Sequence, residues 1–263
     1  MLHIKMHAMY DHFPNHHPVD GEPFIDMWSD SHVFGLKGGK KNVALLLEPK
    51  SMLWDAYEFV EANAGSFAYI FTHDSSLLDF SQARMLNWAD VWIRTDSPKT
   101  KNISIITSSK NWCPLHIARL KLADCFMESP VVDVFRGDWN NPNVKNYKPE
   151  EYLSEYKFSI IIENDIDELW FTEKILNCFS TKTVPIYVGA TGIGKVFNAD
   201  GIIQVDDWRN IPSIVANLDI DAEYNRRTAA INDNFERCRP WETKWKERFF
   251  RDYGQLLEDL QNE

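Results

Sequence analysis

"FSIIIENDIDELWFTEKILNCFSTKTVPIYVGATGIGKVF", residues 158–197, is the stretch on which the fold turns. Its opening run, Phe158 to Ile162, is apolar and β-branched and reads as a strand that ends in Glu163 and Asn164. A short acidic loop follows. A helix then opens at Thr172, a residue type suited to an N-cap, with Ile175, Leu176 and Phe179 as its buried stripe. "TVPIYV" (183–188) begins the next strand, and strand–helix–strand is the signature of a parallel sheet with crossover helices. Beyond it, Gly189, Gly194 and Lys195 have the spacing of a phosphate-cradling loop. That loop needs Ser or Thr after the lysine to ligate magnesium, and the residue here is Val196. The spacing is therefore not read as a nucleoside-triphosphate site.

The start of the 172–179 helix carries more chemistry. Glu173 agrees with the positive end of the helix dipole, whereas Lys174 opposes it. A lysine there makes sense if an anion lies in front, because free backbone N–H groups and an ammonium together suit a diphosphate. The plainer alternative, Lys174 in water with Glu173 capping the turn, stays open on these residues alone.

Working outward, the same rhythm recurs. "NVALLLE" (42–48) reads as a strand, "SMLWDAYEFVEANAG" (51–65) as a helix stopped by Gly65, and "FAYIFTHD" (67–74) as the next strand. "SLLDFSQARML" (76–86) looks helical and "DVWIRT" (90–95) looks like a short strand. The pattern restarts at "NISIITSS" (102–109), runs through a helix around "LHIARLKLADCFM" (115–127) and meets "VVDVFRG" (131–137). "NNPNVKNYKPEEY" (140–152) is turn-rich and reads as a surface excursion. "GIIQVDDW" (201–208) precedes a helix at 211–219. These units predict an α/β chain of two Rossmann-like lobes facing a cleft, residues 1–100 and 101–240. The amphipathic helix of 241–263 is expected to pack across them, with Trp241, Trp245 and Phe249 along one stripe.

Composition fits an enzyme-sized soluble protein: 263 residues, 44% hydrophobic and 25% charged, with ten Trp. A formal charge of −11 argues against a nucleic-acid backbone or an anionic membrane as main partner. Cys113, Cys125, Cys178 and Cys238 are scattered without a C-x-x-C pair and read as reduced thiols. No signal peptide or long apolar run is visible, so the chain is expected to be cytoplasmic.

Two further residues suit a site in such a fold. Arg119 lies on a helix just beyond a strand in "SSKNWCPLHIARLKLADCF" (108–126), and its fork matches phosphate. Glu48 closes "VALLLE" before Pro49, at the carboxyl end of a parallel strand where open α/β sheets present ligands. Its alternative is an exposed residue at a helix start. At this point the chain resembles a family. "YKFSIIIENDIDELWFTEKILNCFSTKTVPIYVGATGIGKVFNADGIIQVDDW" (156–208) is similar to the donor-binding region of the α-1,3/α-1,4-fucosyltransferases, glycosyltransferase family 10. The likeness lies in the strand ending Glu-Asn, the Thr-Glu-Lys helix start, "VPIYVG" ahead of "FN", and the closing "VDDW". It is specific over roughly residues 102–210. Earlier, only "LLLEPKS" and "FAYIFTHD" resemble family segments.

The resemblance implies a GT-B fold with an acceptor-side lobe (1–100) and a donor lobe (101–240). It implies an inverting transfer of L-fucose from GDP-fucose to a glycan hydroxyl. Glu48 would be the general base, and Arg119 and Lys174 would neutralise the departing diphosphate. Glu173 would bind ribose or sugar hydroxyls, Asn164 would support the pocket, and Trp170 takes the place of a family tyrosine near the nucleotide. Both cations come from protein, so no metal or other cofactor is implied. The chain departs from the family pattern at Trp170-Phe171, at Asp165, and in a short N-terminal lobe. By the same resemblance the 185–197 glycines permit a tight turn, and Lys195 need not touch phosphate. The alternatives are another nucleotide sugar, a catalytically silent binding protein, or a hydrolase with metal on His3, His7, His12, His16 and His17. In that last reading His3 with His7, and His12 with His16, would share helix faces.

Overall fold

The computed structural model of the chain describes residues 1–138 and 141–263. They form two units, Met1–Trp88 with Lys244–Glu263, and Ala89–Thr243. Each is built on one five-stranded sheet in which every pairing is parallel.

In the first unit, β1 (Ile4–His7), β2 (Ile25–Ser29), β3 (Asn42–Leu45), β4 (Tyr69–Thr72) and β5 (Ala83–Met85) lie side by side in chain order. Alternation along β3 sends Val43 and Leu45 to one face and Ala44 to the other. On the second face α1 (Lys50–Ala62) buries Ala56, Tyr57 and Val60. The strands expected at 42–48 and 67–74 are present in shorter form. The helical reading of 76–86 is corrected. The Asp74 carboxylate accepts Leu77 N–H (3.0 Å) and the Ser76 hydroxyl (2.5 Å), closing a turn, and the chain then continues into β5. The His3 and His7 helix face is likewise replaced by a strand, since His7 ends β1.

The second unit runs β6 (Lys101–Ser108), α2 (Pro114–Cys125), β7 (Val132–Gly137), α3 (Pro149–Leu153), β8 (Tyr156–Ile162), α4 (Glu173–Ser180), β9 (Val184–Val188) and β10 (Ile203–Gln204). It closes with α5 (Ile211–Asn217), α6 (Ile220–Arg226) and α7 (Thr228–Arg237). Spatial order is β10-β9-β8-β6-β7. The connection from β6 steps one way to β7, and that from β8 steps the other way to β9. The gap between the ends of β6 and β8 is thus the topological switch point, where open α/β sheets hold ligands. Phe158, Ile160 and Ile162 of β8 pack with Leu122 of α2 and Ile211 of α5 on one face. On the opposite face Ile161 packs with Ile175, Leu176 and Phe179 of α4. The expected excursion at 140–152 begins with Asn140, outside the described residues; its far end forms α3.

The division of the chain differs from the expected one at both ends. Residues 90–95 form neither strand nor helix. Val91 N–H donates to Trp241 O (2.9 Å), Trp92 N–H to Asn177 Oδ1 (2.8 Å) and Thr95 N–H to Ser180 O (3.0 Å), tying this segment to the second unit. Lys99 Nζ adds bonds to Leu153 O, Ser154 O and Thr183 Oγ1. Returning to the first unit, α8 (Trp245–Asn262) buries Phe249, Leu257 and Leu260 against Phe13, Ile25 and Phe71. Full burial of such side chains contributes about 1.5–3 kcal/mol each. Trp241 lies in a 3-10 turn before that helix and packs with Phe171 and Phe197, so it does not share a stripe with Trp245 and Phe249. Among the described residues no helix is long and apolar enough to cross a membrane.

Candidate donor site

Four of the sequence-predicted residues meet at the end of β8. Glu163 follows the strand directly and its side chain has no exposed surface. A carboxylate in that position is tolerable only if donors replace its lost hydration. Three do: Thr172 N–H at 3.0 Å, the Thr172 hydroxyl at 2.7 Å, and Lys174 Nζ at 3.1 Å. Thr172 is the N-cap of α4, as its residue type suggested, and its Oγ1 also accepts from Lys174 N–H (3.4 Å) and Lys174 Nζ (2.9 Å). Glu173, in the first turn, stands 3.5 Å from the same ammonium. Burial works against the Lys174 charge, but Glu163 and Glu173 outweigh it and hold its pKa above the ordinary lysine value.

Arg119, on α2, reaches the same strand end from the other side. Its Nη2 donates to Ile162 O (2.5 Å), Glu163 O (3.4 Å) and Asn164 Oδ1 (3.1 Å). Asn164 Oδ1 also receives His116 Nε2 (3.0 Å), and Cys113 Sγ donates to Asn164 O (3.4 Å). Burial lowers the Arg119 pKa, opposed by Glu163, yet a guanidinium stays charged in a protein. Arg119 and Lys174 therefore bracket one residue, Glu163, at the switch point of the sheet. The cluster can receive an anion between a forked and a compact cation, beside the opening turn of α4.

Trp170 is only 2% exposed, so its ring presents no open face to a ligand. The loop after β9 explains the glycines of 185–197. A Cβ on Gly189 would lie 2.4 Å from Tyr187 Oη and 2.7 Å from Glu163 Cγ. One on Gly192 would lie 2.6 Å from Glu168 O. Gly189 thus permits close packing against Glu163 and Gly192 against the Glu168 backbone, and Lys195 pairs with Glu168. Glu163 and His116 were not singled out from the sequence as site residues. Glu163 carried a signal, a carboxylate ending an otherwise apolar strand; His116 carried none.

Glu48 belongs to the first unit. Its N–H and that of Leu47 both donate to Asp30 Oδ1, at 3.1 and 2.8 Å, and its carbonyl accepts from Tyr57 Oη at 2.8 Å. Asp30 reaches them from a left-handed backbone conformation, φ 51°. Burial raises the Asp30 pKa against those N–H bonds. The N-terminal histidines are spread among separate partners: His3 with His17 O, His7 with Asp26, His16 with Leu2 O, and His17 with Asp11. Among the described residues no three His, Cys, Asp or Glu converge on one point.

The family model described as Glycosyltransferase family 10 (fucosyltransferase) C-term matches residues 97–250, more than half of the chain. An alpha-(1,3)-fucosyltransferase, FucT, of Helicobacter pylori is 37% identical over 73 residues, 28% of this chain and 15% of the relative. A 4-galactosyl-N-acetylglucosaminide 3-alpha-L-fucosyltransferase 9 of Cricetulus griseus is 30% identical over 120 residues, 44% of this chain and 32% of the relative. The chain thus spans a third or less of the length of these relatives. Among solved structures, an alpha1,3-fucosyltransferase with GDP superposes with a TM-score of 0.59 at 15% identity, covering 98% of this chain and 90% of that one. A second alpha1,3-fucosyltransferase structure gives 0.61 at 15% identity, covering 95% and 88%. At that identity the likeness establishes the fold, two parallel α/β units of GT-B type.

Proposed function

Because this chain belongs to glycosyltransferase family 10, the fucosyltransferase family, we propose that it transfers L-fucose from GDP-fucose to a hydroxyl of a glycan acceptor, with inversion at the anomeric carbon. The observation that carries the reading is the meeting of Arg119 and Lys174 around Glu163 at the switch point of the second sheet. In this reading the donor diphosphate lies between those two cations. They stabilise the negative charge that develops as the C1–O bond to phosphate breaks. Glu173 binds hydroxyls of the ribose or fucose, Asn164 orders the pocket through Arg119, and Trp170 backs its wall. Glu48 accepts the proton of the attacking acceptor hydroxyl, so a single displacement inverts the centre. Both positive charges come from side chains, and the reaction needs no metal.

The test is kinetic. Glu48→Gln should bind GDP as the wild type does while transfer from GDP-fucose falls by about 10²–10⁴. Wild-type transfer should survive a chelator. Undiminished turnover in Glu48→Gln would assign the base elsewhere, and loss of activity with chelator would reinstate a metal.

A further inference from the structure

We propose that His116, with its proton on Nε2, is a positioning residue that fixes the Asn164 amide and, through it, the Arg119 guanidinium. The polarity of this chain of groups is set from both ends. Trp112 donates its backbone N–H to His116 Nδ1 at 3.3 Å, and a backbone N–H cannot accept. Nδ1 is therefore the acceptor, and the ring proton sits on Nε2, facing Asn164 Oδ1 at 3.0 Å. From the far end, Arg119 can only donate, so the Asn164 atom it meets at 3.1 Å must be oxygen. Both constraints give the same orientation of the amide. Without the His116 donor, the Asn164 oxygen would be held by Arg119 alone, and the aim of the amide and guanidinium would loosen.

Other observations agree with this role. His116 is 3% exposed, and Cys113 at the start of the same helix holds the Asn164 carbonyl. Arg119 keeps a buried Nε–H with no hydrogen-bond partner among the described residues, so its aim depends on the bonds made by Nη2. Burial pushes His116 down to about 4, helped by Arg119 on its own helix, Lys110 in the preceding loop and Lys174 on α4, and opposed by the bond to Asn164. The ring is neutral near pH 7, as a single-proton relay requires. Functional side chains need such a supporting layer to hold their geometry.

The inference rests on the donor reading of Arg119, and two measurements separate the two. Calorimetric titration with GDP should show about tenfold weaker binding for His116→Leu but within about threefold of wild type for His116→Gln, which retains an N–H for Asn164. Nitrogen NMR of the wild-type imidazole should show the neutral Nε2–H form throughout pH 5.5–8. An Nδ1–H tautomer or an imidazolium would overturn the role, and so would equal GDP affinities for the Leu and Gln variants. If wild type bound no GDP, or His116→Leu failed to fold, the tautomer would still decide the role of His116.

Discussion

A lysine at the positive end of a helix looked, in the sequence, like the mark of an anion waiting in front. Part of that anion is the protein's own. Glu163 lies under Lys174 with no exposed surface, and Thr172 joins them. Sequence could flag the oddity of Lys174 but could not show that a carboxylate eleven positions earlier returns beneath it, because only the β8–α4 loop makes that contact. At the same scale, two buried histidines give a dependence on pH. Burial depresses His73 to about 3, and burial with nearby cations depresses His116 to about 4, both from 6.5. The folded state disfavours either imidazolium, so as pH falls through 6.5 the unfolded chain takes up these protons first. Their stabilisation is complete above 6.5 and drains as pH falls, toward 4 for His116 and toward 3 for His73, at about 1.4 kcal/mol per pH unit for each group. Thermal melts between pH 4 and 7.5 should show His73→Gln with a shallower acid slope than wild type. Identical slopes would mean that His73 does not titrate this way.

Periodicity made the elements of the second unit legible. The strand and helix patterns at 102–137 and 156–188 are strong, and the local loop chemistry agrees with them. The first unit was harder. β1 and β2 carry His, Met and Asp among their apolar positions, and the 76–86 segment shows helical spacing that Asp74 breaks with a tight turn before β5. The 185–197 loop tests what its glycines are for. If close packing is their role, Gly189→Ala should cost about 1–3 kcal/mol in urea unfolding, from overpacking against Tyr187 and Glu163. Gly194→Ala should cost less, since its new Cβ would meet only the Ala199 Cβ at 3.4 Å. The reverse order would favour a loop built around Gly194 and Lys195.

For the molecule as a whole, the sequence yielded two parallel α/β units but misplaced their limits. A linker without strand pairing reads like a strand, and its anchoring by Trp241, Asn177 and Ser180 is invisible until the chain is folded. The same holds for α8, whose apolar stripe says that it packs but not upon what. The family match at 97–250 and the Arg119–Glu163–Lys174 cluster both centre on the second unit, so the account stands or falls with nucleotide recognition there. The most direct measurement is the thermal shift of the intact chain with GDP, UDP and CMP, on wild type and Lys174→Ala. GDP should raise the wild-type melting temperature more than the other two, by mass action, and Lys174→Ala should lose most of that shift. Equal shifts from all three nucleotides, or a GDP shift untouched by Lys174→Ala, would contradict the account.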